Sequence, residues 1–174
     1  MKMQMDSYFQ RLLASWKARE GTLPKVAVIG DEDRSIYEGE PDQYGYIQWR
    51  PKEKTTLTDL RPIEHAMEKL LHPSIHEYLN SYWFGSMEGK YNGLGITLMP
   101  VLPGLELEWF LRRLVGYKEA HDDRLDHVPI GSEFNGGLVV IHNATGEVQL
   151  EDYERGTFKT IAPRLETLIA DLRL

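Results

Sequence analysis

The chain has 174 residues, of which 41% are hydrophobic and 27% charged, so we expect residues 1–174 to form a single globular domain with a substantial core. The 20 basic and 27 acidic side chains give a net charge of −7, which argues against nucleic acid as a partner because phosphate binding needs clustered Lys and Arg. The absence of cysteine excludes disulfides, thiolate metal sites and cysteine catalysis.

An N-terminal helix is the first predicted element. Asp6 or Ser7 can cap its beginning, and Gly21 can end it. Apolar side chains at helical spacing predict its buried face: Tyr8, Phe9, Leu12, Leu13 and Trp16.

Two strands with an acidic loop between them are predicted next. They cover Val26–Ile29 and Tyr44–Trp49, and Pro51 closes the second strand. A basic patch follows, made of Arg50, Lys52 and Lys54.

Two short helices are predicted in the middle of the chain. Pro62 begins the first and Pro73 the second, because proline suits the first position of a helix. The first helix should extend up to Pro73 and form a kinked pair with the second. Its expected buried residues are Ile63, Ala66, Met67 and Leu70.

A β-hairpin follows the helix pair. Trp83, Phe84 and Tyr91 are strand-type residues, and Leu94–Met99 is the returning strand. Asn92-Gly93 predicts a two-residue type I′ turn, since that turn requires two positive φ values.

The second half of the chain predicts a helix, several strands and a final helix. The first helix, Leu105–Lys118, should bury Leu107, Phe110, Leu111, Leu114 and Val115. Val128–Ile130 should be extended at a sheet edge, because Pro129 cannot donate a ladder hydrogen bond. The predicted elements after it are a strand at Gly137–His142, a turn at Asn143–Gly146, a strand at Val148–Leu150, and a helix at Thr160–Leu172 that buries Ile161, Leu165, Leu168, Ile169 and Leu172. Tight turns between neighbouring strands favour a largely antiparallel sheet covered by helices, which is an α+β fold.

No residue pattern supports catalysis, a cofactor or a metal. His72 and His76 are four residues apart, a spacing that would place both imidazoles on one helical face. No third ligand is suitably spaced, so a capping or packing role is preferred over a metal-dependent site. The glycine pairs lie beside strands in the wrong order for a phosphate loop, and no serine lies in a nucleophile elbow.

Acidic residues are grouped along the chain, most densely between Asp31 and Asp42. Such groups indicate either a solvated surface or a site for a basic partner. The acidic residues expected to contact a basic partner are Asp31, Glu32, Asp33, Glu38, Glu40, Asp42, Glu88, Glu147 and Glu151.

Dispersed segments carry a resemblance to a known family. In chain order they are Trp16, Tyr46–Pro51, Leu71–His76, Phe84–Met87, Leu94–Leu98 and His142–Val148. Together they resemble the Syd family of bacterial SecY-interacting proteins, in the SUKH superfamily, from about Tyr8 to Leu172.

The resemblance implies an α+β fold with an electronegative concave surface that receives basic cytosolic loops of SecY. It also implies an influence on translocase assembly or quality control without catalysis. Because no apolar run approaches the ~20 residues of a membrane span and no signal peptide is visible, we expect a cytoplasmic protein. The resemblance implies that it is peripheral to the inner membrane through SecY. Direct lipid insertion is not expected, since anionic headgroups repel an acidic protein.

A second function remains open at this stage. The same superfamily implies immunity proteins that neutralise toxins, and a basic nuclease toxin suits an acidic surface as well as SecY does. Composition does not separate these alternatives. A metal-dependent enzyme at His72 and His76 is a third alternative.

Overall fold

The computed structural model describes residues 1–30 and 33–174. Its five α-helices are α1 (Lys2–Glu20), α2 (Arg61–Met67), α3 (Pro73–Ser81), α4 (Glu106–Ala120) and α5 (Leu165–Asp171), and a short 3-10 helix spans Arg34–Ile36. The first helix begins earlier than predicted. Met1, whose carbonyl accepts from the N–H of Gln4 and Met5, precedes it, so the capping role predicted for Asp6 or Ser7 is wrong.

Eleven strands are present within the described residues. They are β1 (Lys25–Ala27), β2 (Tyr37–Glu38), β3 (Tyr46–Trp49), β4 (Lys52–Glu53), β5 (Tyr82–Trp83), β6 (Met87–Tyr91), β7 (Leu94–Leu98), β8 (His127–Glu133), β9 (Leu138–His142), β10 (Val148–Asp152) and β11 (Thr157–Ala162). The main sheet has six strands in the order β11-β10-β9-β8-β7-β6, and every neighbouring pair is antiparallel. A three-stranded sheet, β1-β3-β2, and a β4-β5 pair complete the strands. The predicted α+β class is confirmed.

The central hairpin and its turn form as predicted, but its first strand begins at Met87; Trp83 lies in β5, which pairs with β4, and Phe84 lies outside the hairpin strands. Met87 pairs with Leu98 and Tyr91 with Leu94, and the turn between the strands is Asn92-Gly93. Its φ values are 48° at Asn92 and 86° at Gly93, the two positive values of a type I′ turn.

Pro129 lies inside the sheet, so its predicted edge position is wrong. β8 has β7 on one side and β9 on the other. The ladder with β7 reaches only Gly131, Ser132 and Glu133, and the register with β9 shifts between Pro129 and Gly131. This bulge, beyond the end of the β7 ladder, lets the sheet accommodate a residue without an N–H.

The predicted final helix is wrong over its first five residues, 160–164. Thr157–Ala162 forms β11, which pairs antiparallel with β10, and α5 begins only at Leu165. β-branched and aromatic residues in this segment favour a strand once β10 is available as a partner. The burial predicted for Leu165, Leu168, Ile169 and Leu172 is confirmed, whereas Ile161 is half-buried on β11.

Two predicted buried faces need correction. α2 ends at Met67 because Glu68 adopts a left-handed conformation with φ 54°, so α2 and α3 are separate helices. Leu70 lies beyond α2 and is 80% exposed, and Ala66 is also exposed. On α4, Leu107 and Val115 are each 37% exposed while Tyr117 is buried, because the helix presents Phe110, Leu114 and Tyr117 to the core.

One continuous cluster of buried side chains joins all five helices to the main sheet. Phe9 of α1 belongs to this cluster, with its ring centroid 5.3 Å from Phe84 and 6.3 Å from Trp49. The predicted stripe of α1 is buried at Tyr8, Phe9 and Leu12, and Trp16 packs against the cluster while partly exposed.

The segment before α3 is attached to the β9–β10 turn. Asn143 Oδ1 accepts from the His72 N–H at 2.8 Å, and its amide donates to the Leu70 carbonyl at 2.8 Å. The His72 ring lies directly against Gly146, where a Cβ would overlap the ring. Two segments that carry the family resemblance, Leu71–His76 and His142–Val148, therefore meet in the fold.

Candidate partner-binding surface

The acidic segment is more structured than its sequence predicts. Asp31 and Glu32 lie outside the described residues. Asp33 caps the 3-10 helix, because its Oδ1 accepts from the Ser35 N–H at 2.7 Å. The other three acidic residues of the segment are Glu38 in β2 and, in the loop after it, Glu40 and Asp42.

Each of those three acidic residues has a basic partner. The ion pairs are Glu38–Arg50 at 3.1 Å, Glu40–Arg34 at 3.4 Å and Asp42–Lys25 at 2.8 Å. The Glu38 and Glu40 pairs are solvent-exposed, so each contributes little and can rearrange when a partner approaches. Antiparallel pairing of β1 and β2 with β3 brings Lys25 and Arg50 close to the acidic segment. The sequence did not reveal these two contacts.

Asp42 organises the turn before β3. Its Oδ1 accepts from the N–H groups of Tyr44 at 3.0 Å and Tyr46 at 3.1 Å, and its Oδ2 accepts from Lys25. The hydrogen bond from Lys25 lowers the pKa of Asp42, and the two backbone N–H groups lower it further. Because both oxygens are engaged, Asp42 has a structural role in this turn.

Glu88 and Glu151 lie on the same face of the main sheet. Directly paired residues of antiparallel strands share a face. The pairings give one row across five strands: Glu88, Thr97, Ser132, Leu138 and Glu151. Glu88 is exposed and forms no ion pair within the described residues.

Glu151 is enclosed instead of facing solvent. It is 2% exposed, and its carboxylate accepts from the Tyr117 hydroxyl at 2.8 Å and lies 2.5 Å from His121 Nε2. A partner therefore does not reach this carboxylate in the described conformation. Glu147, in the turn before β10, is half-buried and accepts from Thr145 Oγ1 at 3.2 Å.

The group of Tyr117, His121 and Glu151 attaches the end of α4 to β10. The imidazole of His121 lies 3.8 Å from the Tyr117 ring, and its Nδ1 is 2.7 Å from the Tyr117 carbonyl. Burial raises the pKa of Tyr117, and the neighbouring Glu151 raises it further. Both imidazole nitrogens of His121 are therefore engaged within the fold. No sequence pattern indicated this contact, since residues 117 and 151 belong to elements far apart in the chain.

The two histidines considered for metal binding have structural partners. His72 Nδ1 accepts from the Ser74 N–H at 3.2 Å and caps α3, which confirms the capping role. His76 Nε2 lies 2.9 Å from Glu64 Oε1. Among residues 1–30 and 33–174, no group of three or more His, Asp or Glu side chains could hold a metal ion.

Lys54 departs from the predicted basic patch. Its side chain is 0% exposed, and its Nζ lies 3.4 Å from the centroid of the Trp83 ring. Arg50 and Lys52 are exposed, so the patch is smaller than predicted.

No helix in the described part of the chain is long and apolar enough to cross a membrane.

The fold and surface define an α+β domain of net charge −7 with exposed acidic side chains at Glu38, Glu40 and Glu88. Comparison with known proteins specifies the family. The family model described as Syd protein (SUKH-2) matches residues 2–173, and the chain belongs to this family.

Curated relatives agree with this membership at modest identity. Protein Syd of Cronobacter sakazakii is 24% identical over 179 residues, covering 99% of this chain and 96% of the relative. Protein Syd of Pectobacterium atrosepticum is 25% identical over 173 residues, covering 97% and 93%. Protein Syd of Aeromonas salmonicida is 28% identical over 176 residues, covering 97% and 93%.

Proposed function

We propose that this protein is a non-enzymatic binding protein that docks on basic cytosolic loops of SecY and thereby regulates or monitors translocase assembly. The observation that carries the proposal is membership of the Syd family over residues 2–173. The proposal also treats residues 1–174 as one domain, located in the cytoplasm and peripheral to the inner membrane through SecY.

The charge of the chain supports this partner. Cytoplasmic loops of membrane proteins are enriched in Lys and Arg, and a protein of net charge −7 is complementary to them. The proposed contact residues are Asp33, Glu38, Glu40, Glu88 and Glu147, together with Asp31 and Glu32. We assign Asp42 and Glu151 supporting roles, because the carboxylate of each is engaged within the fold.

Association with SecY-containing nanodiscs tests the proposal. In the test variant, Glu38, Glu40 and Glu88 are replaced by glutamine. The control variant carries Glu119→Gln, Glu154→Gln and Asp171→Asn, which alter exposed acidic residues elsewhere by the same total charge. Exposed ion pairs act mainly during approach, so the test variant should associate more slowly and with a weaker salt dependence. The control should resemble the parent.

Two outcomes would contradict the proposal. If the parent fails to associate with SecY nanodiscs at low salt, SecY is not the partner. If both variants lose association rate equally, net charge alone acts and the proposed surface is wrong.

A second candidate is an immunity protein that neutralises a basic toxin. The SUKH-2 description of the matching family favours keeping it, because the wider superfamily implies this role. A large secreted toxin encoded beside this protein, inhibited by it in a direct assay, would support this candidate over SecY.

A further inference from the structure

The side chain of Glu88 is exposed on β6 and has no basic partner within the described residues. Its directly paired neighbour on the same face is Thr97, which carries no charge. Lys90 lies two residues further along β6, but no ion pair within 1–30 and 33–174 joins it to Glu88. Glu38 and Glu40, by contrast, are each paired with an arginine. A cationic group can therefore bind Glu88 without breaking an ion pair.

The backbone of Glu88 is held by one buried side chain, that of Tyr8. The Tyr8 hydroxyl donates to the Glu88 carbonyl at 2.9 Å and accepts from the Glu88 N–H at 2.8 Å. Because β6 is the last strand of the main sheet, these two backbone groups point away from β7 and would otherwise face solvent. Tyr8, on α1, is 0% exposed, so it fixes this part of the strand against the core.

The protonation state of Tyr8 suits this double contact. A phenol can donate one hydrogen bond and accept another only while it keeps its proton. Burial raises the pKa of Tyr8, because the charged form would be desolvated. The hydroxyl therefore stays protonated at neutral pH and can keep both hydrogen bonds to Glu88.

The outer edge of β6 is closed again two residues further on. The Lys90 N–H donates to the Arg173 carbonyl at 2.7 Å, and the Lys90 carbonyl accepts from the Arg173 N–H at 2.9 Å. The outward backbone groups of both Glu88 and Lys90 are therefore occupied, so a partner strand cannot add here without displacing these contacts. A partner reaches Glu88 through its side chain.

We propose that Tyr8 is a positioning residue for the partner contact, because it fixes the strand from which Glu88 presents its carboxylate to a cationic side chain. This inference rests on the proposed function. A carboxylate on a fixed strand loses less conformational freedom on binding than one on a mobile segment. Part of the contribution of Glu88 to affinity therefore depends on the Tyr8 hydroxyl. A Tyr8 that only stabilised the fold would not affect binding by the folded protein.

A double-mutant cycle on binding to SecY-containing nanodiscs tests the inference. Dissociation constants are measured for the parent, Tyr8→Phe, Glu88→Gln and the double variant. Because exposed ion pairs are weak, Glu88→Gln should raise the dissociation constant about 1.4- to 5-fold, and Tyr8→Phe should raise it by up to the same factor. In the Glu88→Gln background, Tyr8→Phe should have no further effect, since the two residues act as a unit.

Tyr78→Phe is the matched control. It removes another fully buried hydroxyl, which donates to the Met99 carbonyl at 2.6 Å, and it leaves the hydrogen bonds of Glu88 in place. This variant should bind the nanodiscs like the parent. Circular dichroism shows that each variant is folded before it is compared.

The positioning role would be refuted if Tyr8→Phe binds as tightly as the parent, or if it weakens binding equally with and without Glu88→Gln. Either result leaves the proposed function intact, whereas a parent that does not bind SecY nanodiscs removes the proposed function. Amide hydrogen exchange of the parent needs no variant. A Glu88 N–H that exchanges as fast as in an unfolded chain would refute the contact with Tyr8, whether or not SecY binds.

Discussion

Raising the pH from 8 to 10 should stabilise the fold through one buried lysine. Lys54 Nζ donates to Thr58 Oγ1 at 2.6 Å and to the Leu79 carbonyl at 3.0 Å. Burial lowers the pKa of Lys54 from 10.5 to about 8, and the opposing effect of Glu106, 3.8 Å away, is smaller. The ammonium group is therefore less favourable in the folded chain than in water.

The sign and size of the effect follow from the two pKa values. Between about 8 and 10.5, the folded chain binds fewer protons at Lys54 than the unfolded chain does, so the free energy of unfolding rises with pH. At about 1.4 kcal/mol per pKa unit, the full shift corresponds to about 3 kcal/mol. About 2 kcal/mol of this should appear between pH 8 and pH 10.

Urea unfolding of the parent and of Lys54→Met at pH 7, 8, 9 and 10 measures this contribution. Burial raises the pKa of Tyr8 and Tyr78, so the parent and the variant lose stability alike as unfolded tyrosines ionise near pH 10. The difference between the two proteins removes that loss. It should change by about 2 kcal/mol in favour of the parent between pH 8 and pH 10.

Lys52→Met is the matched control, because Lys52 is exposed and close in sequence. Its difference from the parent should not depend on pH. If the stability difference for Lys54→Met also stays constant from pH 8 to pH 10, folding does not lower the pKa of Lys54, and the reasoning is refuted. If Lys54→Met does not fold, Lys54→Gln can be measured in the same series.

Three further changes test other parts of the fold. Gly146→Ala should cost about 1–3 kcal/mol in urea unfolding, because the new Cβ would meet the His72 ring at a residue with φ 77°; an unchanged midpoint would mean that this contact is loose. Tyr117→Phe should cost about 1–3 kcal/mol by removing a donor to buried Glu151, and a cost equal to that of an exposed Tyr153→Phe control would argue against the bond. Leu70→Ser should change stability by less than about 0.5 kcal/mol because Leu70 is 80% exposed, and a large loss would restore the buried face first predicted for α2.

Predictions from the sequence were accurate where local chemistry is sufficient. The Asn92-Gly93 turn and the start of α3 at Pro73 depend on φ preferences of the residues themselves. Predictions failed where a distant strand decided the outcome. Thr157–Ala162 became a strand because β10 lies beside it, and Pro129 entered the sheet because a bulge accommodates it.

The acidic surface shows the same division. The sequence identified which residues are acidic and where they are grouped. Strand pairing in the fold, which the sequence did not predict, places Glu88 and Glu151 on one face of the sheet. The sequence also did not indicate that Glu151 is buried beside Tyr117 and His121. The burial of Glu151 depends on Tyr117 and His121 at the end of α4. These residues are 34 and 30 positions away from Glu151 in the chain.

The sequence by itself determined the composition, the net charge, the α+β class and the turns, because these follow from residue types and their local spacing. Only the tertiary structure decided which charges are compensated. Lys25 meets Asp42 across 17 residues, and Arg50 meets Glu38 across 12. Electrostatic energy depends on separation in space, so a segment that reads as almost wholly acidic becomes, once folded, a set of ion pairs.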